Sequence, residues 1–544
     1  MPTLAELEAV ARGASPAPLR ADDRDRIEAG RAVVETALGE GRVVYGVTTG
    51  FGQLSSVRID AADAAALQVN LLRSHAVGSG EPLDAEIVRG MVLLLASSLR
   101  RGHSGVRPEV VELLLALLEH DVVPVIPSRG SVGSSGDLAP LAHLALVLIG
   151  EGEATVGGER LPGGAALARA GLEPVSLAAK EGLALINGTH LMAAAGGLAI
   201  RDAERVLDAA VVAVALSLEA FKGSTVPFDE RLHALRGQPG PGSVAARLRS
   251  LLAGSPVVAS HADCGRVQDP YTLRCAPQVL GAVADGLGYA RGALVRELGA
   301  VTDNPLVFAD DAEILSGGNF HGQPLSLPLD HVALAMCELA SFAERRVYAL
   351  LTPSYAELPA FLTPRPGLSS GLMIAQYAAA ALVSECQVLS HPAGAGSIPT
   401  SAGMEDFNSM GALAALKART VVGHAAHVVA TELVCACQGL EFHRPLRSTD
   451  ALRRGRWNSS PWTAQTSSIA STCAAFSTTV RAFSAASAPI ELKSSWPAEV
   501  GIDPAPAGCE STWHSLTSAA AAYWAIISPL ETPGCGVRNG GSSA

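Results

Sequence analysis

Five stretches of this chain carry apolar residues at three- and four-residue spacing for longer than most helices last. They run roughly over 177–221, 274–298, 324–351, 370–389 and 410–437, the first interrupted near Asn187-Gly188. Helices of globular domains usually span roughly 8–20 residues. Long helices rich in apolar residues must be covered on several sides. Several in one chain predict a mainly α fold built as a long-helix bundle and shared between subunits, because one copy would struggle to cover them. Shorter helices are expected over 22–38, 61–75, 85–100, 108–120 and 138–149, where Ala, Leu, Glu and Arg dominate. Gly and Pro clusters at 128–136 and 237–242 are read as breaks.

Composition narrows the function. Apolar residues make up 48% of the 544 and charged residues 17%, which excludes disorder over most of the chain. The net charge is −12, and the lysines are Lys180, Lys222, Lys417 and Lys493 alone. That balance argues against a nucleic-acid or anionic-membrane partner. The sequence is read as holding no membrane span; the apolar runs 141–149 and 209–216 are too short and read as buried helices. The start, Met-Pro-Thr-Leu-Ala-Glu-Leu-Glu, has no secretory pattern. All nine cysteines fall at Cys264 or later, and Cys435-Ala-Cys437 is too close for a metal knuckle. Free thiols in a reducing cytoplasm are expected, with no metal.

Character changes near Arg456. All five tryptophans (Trp457, Trp462, Trp496, Trp513, Trp524) lie beyond it, and 16 serines fall among the last 89 positions. Three parts are therefore expected: an N-terminal domain over 1–200, a long-helix bundle over 201–455, and a segment over 456–544. That last segment is read as a divergent tail or as an out-of-frame translation.

The stretch that carries chemistry is Gly130-Ser-Val-Gly-Ser134-Ser135-Gly136-Asp137-Leu-Ala-Pro-Leu-Ala-His143. Alone, it reads as a Gly/Ser loop before a helix, with Asp137 as N-cap. It lacks the GxxxxGK[ST] pattern of a phosphate loop. It stands in order with other motifs: Tyr45-Gly-Val-Thr-Thr-Gly-Phe-Gly52, Asn70-Leu-Leu-Arg-Ser-His75, Leu185-Ile-Asn187-Gly-Thr-His190 and Gln268-Asp-Pro-Tyr271-Thr-Leu-Arg274-Cys. Asp303-Asn-Pro305, Gly317-Gly-Asn-Phe320-His-Gly-Gln-Pro324 and Pro399-Thr-Ser-Ala-Gly-Met404-Glu405-Asp406 follow. Together these resemble the signatures of the aromatic amino acid ammonia-lyase and aminomutase family, with the histidine branch the most similar.

The resemblance implies a bundle of the ammonia-lyase/fumarase-aspartase-like type, with a smaller N-terminal domain bearing the reactive loop. It implies a homotetramer whose active sites combine residues of three subunits. It also implies a self-made electrophile, 4-methylidene-imidazol-5-one (MIO), from Ser134-Ser135-Gly136, where the family usually has Ala-Ser-Gly. No external cofactor is then needed. A Gly in third place leaves the attacking nitrogen unhindered and permits a tight bend.

Roles follow from the same resemblance. Tyr45 is the base for the β-proton, which asks the site to stabilise a phenolate. Arg274 clamps the substrate carboxylate with its guanidinium fork. Asn187 and Gln268 hydrogen-bond the carboxylate and the MIO neighbourhood; Tyr271, counted with the catalytic set, and Phe320 wall the pocket. Asp137 aids ring closure or caps its helix. Without the resemblance, Tyr45 reads as a loop anchor, Arg274 as an ion-pair member and Phe320 as core. In Met404-Glu405-Asp406, a carboxylate in the middle suits an imidazole, where an amide suits an apolar or phenolic ring. His75 sits where the histidine branch approaches the imidazole, although a helix-end role and a tyrosine aminomutase pattern fit it too. Met404, Phe407-Asn408 and His190 depart from the branch's usual residues. The implied reaction is elimination of ammonia from L-histidine, or a related imidazole amino acid, to give urocanate. The alternatives are a lyase for another aromatic amino acid, a 2,3-aminomutase, or an inactive relative.

Overall fold

The computed structural model describes residues 1–262 and 266–453; the tail expected over 456–544 lies outside the described residues. Numbering only helices of eleven residues or more, α1 is Ala21–Gly39, α2 Ala64–His75, α3 Ala85–Leu99, α4 Pro108–Glu119 and α5 Leu138–Leu148. Then follow α6 His190–Ala220, α7 Pro239–Leu252, α8 Ala276–Glu297, α9 Gln323–Leu351, α10 Met373–Leu389 and α11 Gly411–Glu441. The long stretches read from periodicity are therefore long helices.

The core is the bundle of α6, α8, α9 and α11. α11 packs along both α9 and α6, and α8 lies against α9, α6 and α7. Three of these helices are tied by one buried ion pair. Arg346 Nε and Nη2 donate to Glu432 Oε1 and Oε2 at 2.6 and 2.7 Å, and Ser217 Oγ donates to Glu432 Oε1 at 2.8 Å. Both charged side chains are fully buried.

α9 and α11 reach the length and hydropathy of a membrane span, which the shorter runs 141–149 and 209–216 did not foreshadow. Their apolar windows are 67% and 72% buried inside the fold, and they share the Arg346–Glu432 pair. Leu, Val and Ala together raise their mean hydropathy, and their buried faces are used for helix–helix packing.

The N-terminal helices carry small antiparallel sheets. Ser79–Pro82 pairs with Pro127–Arg129, and the hairpin Glu153–Val156/Glu159–Pro162 extends to Val123–Pro124. Between Arg129 and α5 runs the Gly/Ser loop. The first turns of α6, α9 and α11 converge on it. Met410 N donates to Val132 O at 2.9 Å, Gly322 N to Gly133 O at 3.4 Å, and Asp137 N to Gly188 O at 2.7 Å. With α5, four helix N-termini surround the loop, each contributing a partial positive charge.

α6 has 31 residues, so it is about 46 Å long at 1.5 Å per residue. The Gln268–Arg274 segment lies at its far end. Arg266 Nη1 donates to Phe221 O at 3.2 Å, Ser224 N to Asp269 Oδ2 at 2.6 Å, and Thr272 Oγ1 to Phe342 O at 3.3 Å. Along the bundle's outside, Tyr289, Leu334, Tyr348, Ile374, Tyr377 and Val388 are exposed.

Candidate active site

Gly136 has φ of 75°, in the left-handed region. A Cβ there would stand 2.1 Å from Gly188 O, so only glycine fits. The Gly136 N–H donates to no acceptor among the described residues, which leaves that nitrogen uncommitted. Ser134 is buried, at 5% exposure. The Ser135 hydroxyl donates to Glu405 Oε1 at 3.0 Å, while the Thr400 hydroxyl donates to Glu405 Oε2 at 2.6 Å. The late motif is thus folded directly over the triplet.

Glu405 also acts on His75. Burial pushes the His75 imidazole below its usual pKa, and the Leu71 carbonyl and the Glu405 charge oppose that. His75 Nδ1 lies 2.9 Å from Leu71 O, so Nδ1 carries the proton and Nε2 is left as acceptor. Tyr45 joins from another loop. Its phenol oxygen accepts the Gly52 N–H at 3.0 Å. Its ring meets Phe51 edge-on at 6.3 Å. A Cβ on Gly52 would lie 2.8 Å from Ser401 Oγ, so the tyrosine loop touches the turn that leads into Met404-Glu405.

Asn187 is 4% exposed and its Oδ1 has no protein partner, an orphan buried acceptor next to Gly188. Phe320 is half-buried in the turn before α9. Met404 stands out at 61% exposure, and Phe407 faces His321, whose Nε2 lies 3.1 Å from Phe407 O.

Asp137 departs from the expectation that it caps its own helix. Its side chain makes no cap bond to α5. Asp137 Oδ2 instead accepts the Leu191 and Met192 N–H groups at 2.9 and 3.1 Å, capping α6, and Oδ1 accepts the Ser131 hydroxyl at 2.8 Å. Full burial pushes its carboxyl up to about 6 against those bonds. Ser131 and Thr400 were not singled out from sequence; their places inside the two matched motifs were the available signal.

The remaining expected residues are elsewhere in the same copy. Tyr271 is 69% exposed, and the Arg274 guanidinium lies 4.5 Å from its ring centre. Arg274 Nε is buried without a protein partner. With Gln268, these sit at the end of α6 opposite the triplet. One chain therefore brings Tyr45, His75, Ser134–Gly136, Asn187 and Glu405 together, and presents Gln268, Tyr271 and Arg274 as a separate group. Among the described residues no cluster of three His, Cys, Asp or Glu side chains is placed to hold a metal.

Known proteins share this arrangement of sequence and fold. The family model for aromatic amino acid lyase matches residues 3–457, ending where the sequence changes character. A histidine ammonia-lyase of Anaeromyxobacter dehalogenans is 56% identical over 454 residues, 82% of this chain and 89% of that protein. The crystal structure of histidine ammonia-lyase from Trypanosoma cruzi has a TM-score of 0.81 at 36% identity, covering 99% of this chain and 98% of its own. Tyrosine aminomutase from Streptomyces globisporus gives 0.81 at 34% identity, covering 88% of this chain and 95% of its own. The chain belongs to the aromatic amino acid lyase family and is a carbon–nitrogen lyase.

Proposed function

We propose that this enzyme eliminates ammonia from L-histidine to give urocanate, with an MIO group made from Ser134-Ser135-Gly136. The observation that carries the reading is the Glu405 carboxylate, bonded to the Ser135 hydroxyl at 3.0 Å and within electrostatic reach of His75. Electrophile and imidazole-binding groups then share one small volume. The 56% identity to a histidine ammonia-lyase supports the same substrate.

The residues fit ring closure. The uncommitted Gly136 nitrogen adds to the Ser134 carbonyl carbon, and that oxygen leaves as water with the amide protons of Ser135 and Gly136. Ser135 loses its hydroxyl and its α-proton as a second water. The finished group supplies an electrophilic methylidene carbon, which captures an amine and makes it a better leaving group. The helix N-termini around the loop favour negative charge there.

The other residues bind and move a proton. Tyr45 takes the β-proton, its oxygen already held by the Gly52 N–H. Glu405 accepts the imidazole N–H of the substrate, with His75 beside it, and Met404 and Phe320 flank the ring. Asn187, whose Oδ1 lacks a protein partner, faces the substrate's polar end. Arg274 clamps the carboxylate with Gln268, and Tyr271 closes the pocket.

Those last three come from other copies in a homotetramer. The length of α6 between the two groups and the exposed apolar outer faces support that assembly. A cytoplasmic location suits the free thiols of Cys275, Cys337, Cys386, Cys435 and Cys437. A second reading, an aminomutase, draws on Ser74-His75 and on the likeness to tyrosine aminomutase. Incubation with L-histidine, L-tyrosine and L-phenylalanine, with product identification, tests both. Urocanate from histidine is expected. No urocanate, but turnover of tyrosine or phenylalanine, would reject the histidine assignment.

A further inference from the structure

The triplet is pressed against the segment Asn187-Gly188-Thr189, and that segment is braced from behind. At its front, Gly136 leaves no room for a Cβ, which would lie 2.1 Å from Gly188 O. A Cβ on Gly188 would lie 2.4 Å from His190 Cε1 and 2.7 Å from Thr302 Oγ1. Behind it, the Thr189 hydroxyl donates to Glu297 Oε1 at 2.5 Å, and Thr189 N donates to Thr302 Oγ1 at 3.3 Å. Glu297 is the last residue of α8, so the brace is anchored on a core helix.

A carboxyl in such a place is costly. Burial pushes the Glu297 carboxyl up, and only the Thr189 hydroxyl bond opposes it. Glu297 is half-buried, and a carboxyl shielded from water to that extent is stabilised by keeping its hydrogen-bond partner. None of the steps above uses Glu297.

We infer that Glu297, acting through Thr189, is a positioning residue for ring closure: it fixes the 187–189 wall that keeps Gly136 in its bent, uncommitted conformation. The inference rests on the MIO reading. Ring closure within three residues depends on tight geometry, and a misplacement of about 1 Å costs on the order of 100-fold in comparable reactions.

The test follows loss of two waters by intact-protein mass spectrometry on the freshly folded full chain. Parent, Thr189→Val, Glu297→Ala and Glu297→Gln are compared, and circular dichroism reports the folded fraction. Thr189→Val and Glu297→Ala are expected to lose the waters about tenfold more slowly or worse. Glu297→Gln, whose amide oxygen still accepts from Thr189, is expected to stay near the parent. Parent-like water loss in Thr189→Val overturns the inference, and so does a Glu297→Gln variant as slow as Glu297→Ala. If Glu297→Ala does not fold, the near-isosteric Thr189→Val decides. A parent chain that keeps both waters rejects the MIO reading and this inference together; a parent that cyclises beside an equally fast Thr189→Val rejects the inference alone.

Discussion

Ser135 and Glu405 are 270 residues apart in sequence, yet their side chains meet at 3.0 Å. In the proposed reaction, the contact joins the residue that would supply the reactive carbon to the residue that would select an imidazole substrate. Replacing Glu405 with Gln keeps the shape and removes the charge. A hydrogen bond to a charged group contributes about 1.5–3 kcal/mol. Glu405→Gln should therefore lower kcat/KM for histidine roughly 10- to 100-fold, and for phenylalanine far less. Steady-state kinetics on both substrates checks this; equal losses would remove the basis for Glu405 as the imidazole partner.

A second expectation concerns the assembly. The triplet and Arg274 stand at opposite ends of α6, about 46 Å of helix apart. Ser135→Ala removes the proposed source of the methylidene carbon, and Arg274→Met removes the proposed carboxylate clamp. Each variant alone should be close to inactive. Co-expressed, they should regain activity, because some sites then draw an intact triplet from one copy and an intact Arg274 from another. Purified mixed oligomers with no activity above the single variants would rule out sites shared in this way.

How far this was legible from sequence differs by element. The long helices were readable because their apolar spacing extends over about five turns or more, and the observed bounds fall within a few residues of those expected. Pro239-Gly240-Pro241-Gly242 misled: it reads as a break but begins α7. Proline is well suited to the first helical turn, where its missing N–H is not needed. Gly240 is there for contact, since a Cβ would stand 2.1 Å from Gly281 O on α8. Asp137 was misplaced for a related reason. Local rules assign a cap to the nearest helix, and its partners are 54 and 55 residues away. Glu297 and Thr302 carried no local signal at all, because their contacts to Thr189 exist only once α8 packs beside α6.

The Arg346–Glu432 pair offers a test of what holds the bundle. Both side chains are fully buried and link α9 to α11, with Ser217 of α6 bonded to the same carboxylate. Removing one partner strands an uncompensated charge in the core. Glu432→Ala should destabilise the chain by about 3–5 kcal/mol, whereas replacing both with apolar residues of similar volume should cost much less. Denaturant melts of the two variants separate these cases.

Two buried groups near the triplet should make stability depend on acidity in opposite directions. Asp137 is raised by burial from 3.8 to about 6, so between those values the folded chain holds a proton that the unfolded chain has released. Its contribution to stability is therefore present at low pH and lost as pH rises through about 6. His190 is lowered by burial from 6.5 to about 4, so in that window the unfolded chain holds the extra proton. Its contribution is present above 6.5 and lost as pH falls toward 4. Asp137→Asn should remove a falling component from the plot of Tm against pH between about 4 and 6. His190→Gln should remove a rising one. Measured by thermal melting at half-unit steps, the two difference curves should slope in opposite senses. Parallel curves would mean that one of these side chains does not titrate from a buried site beside the triplet.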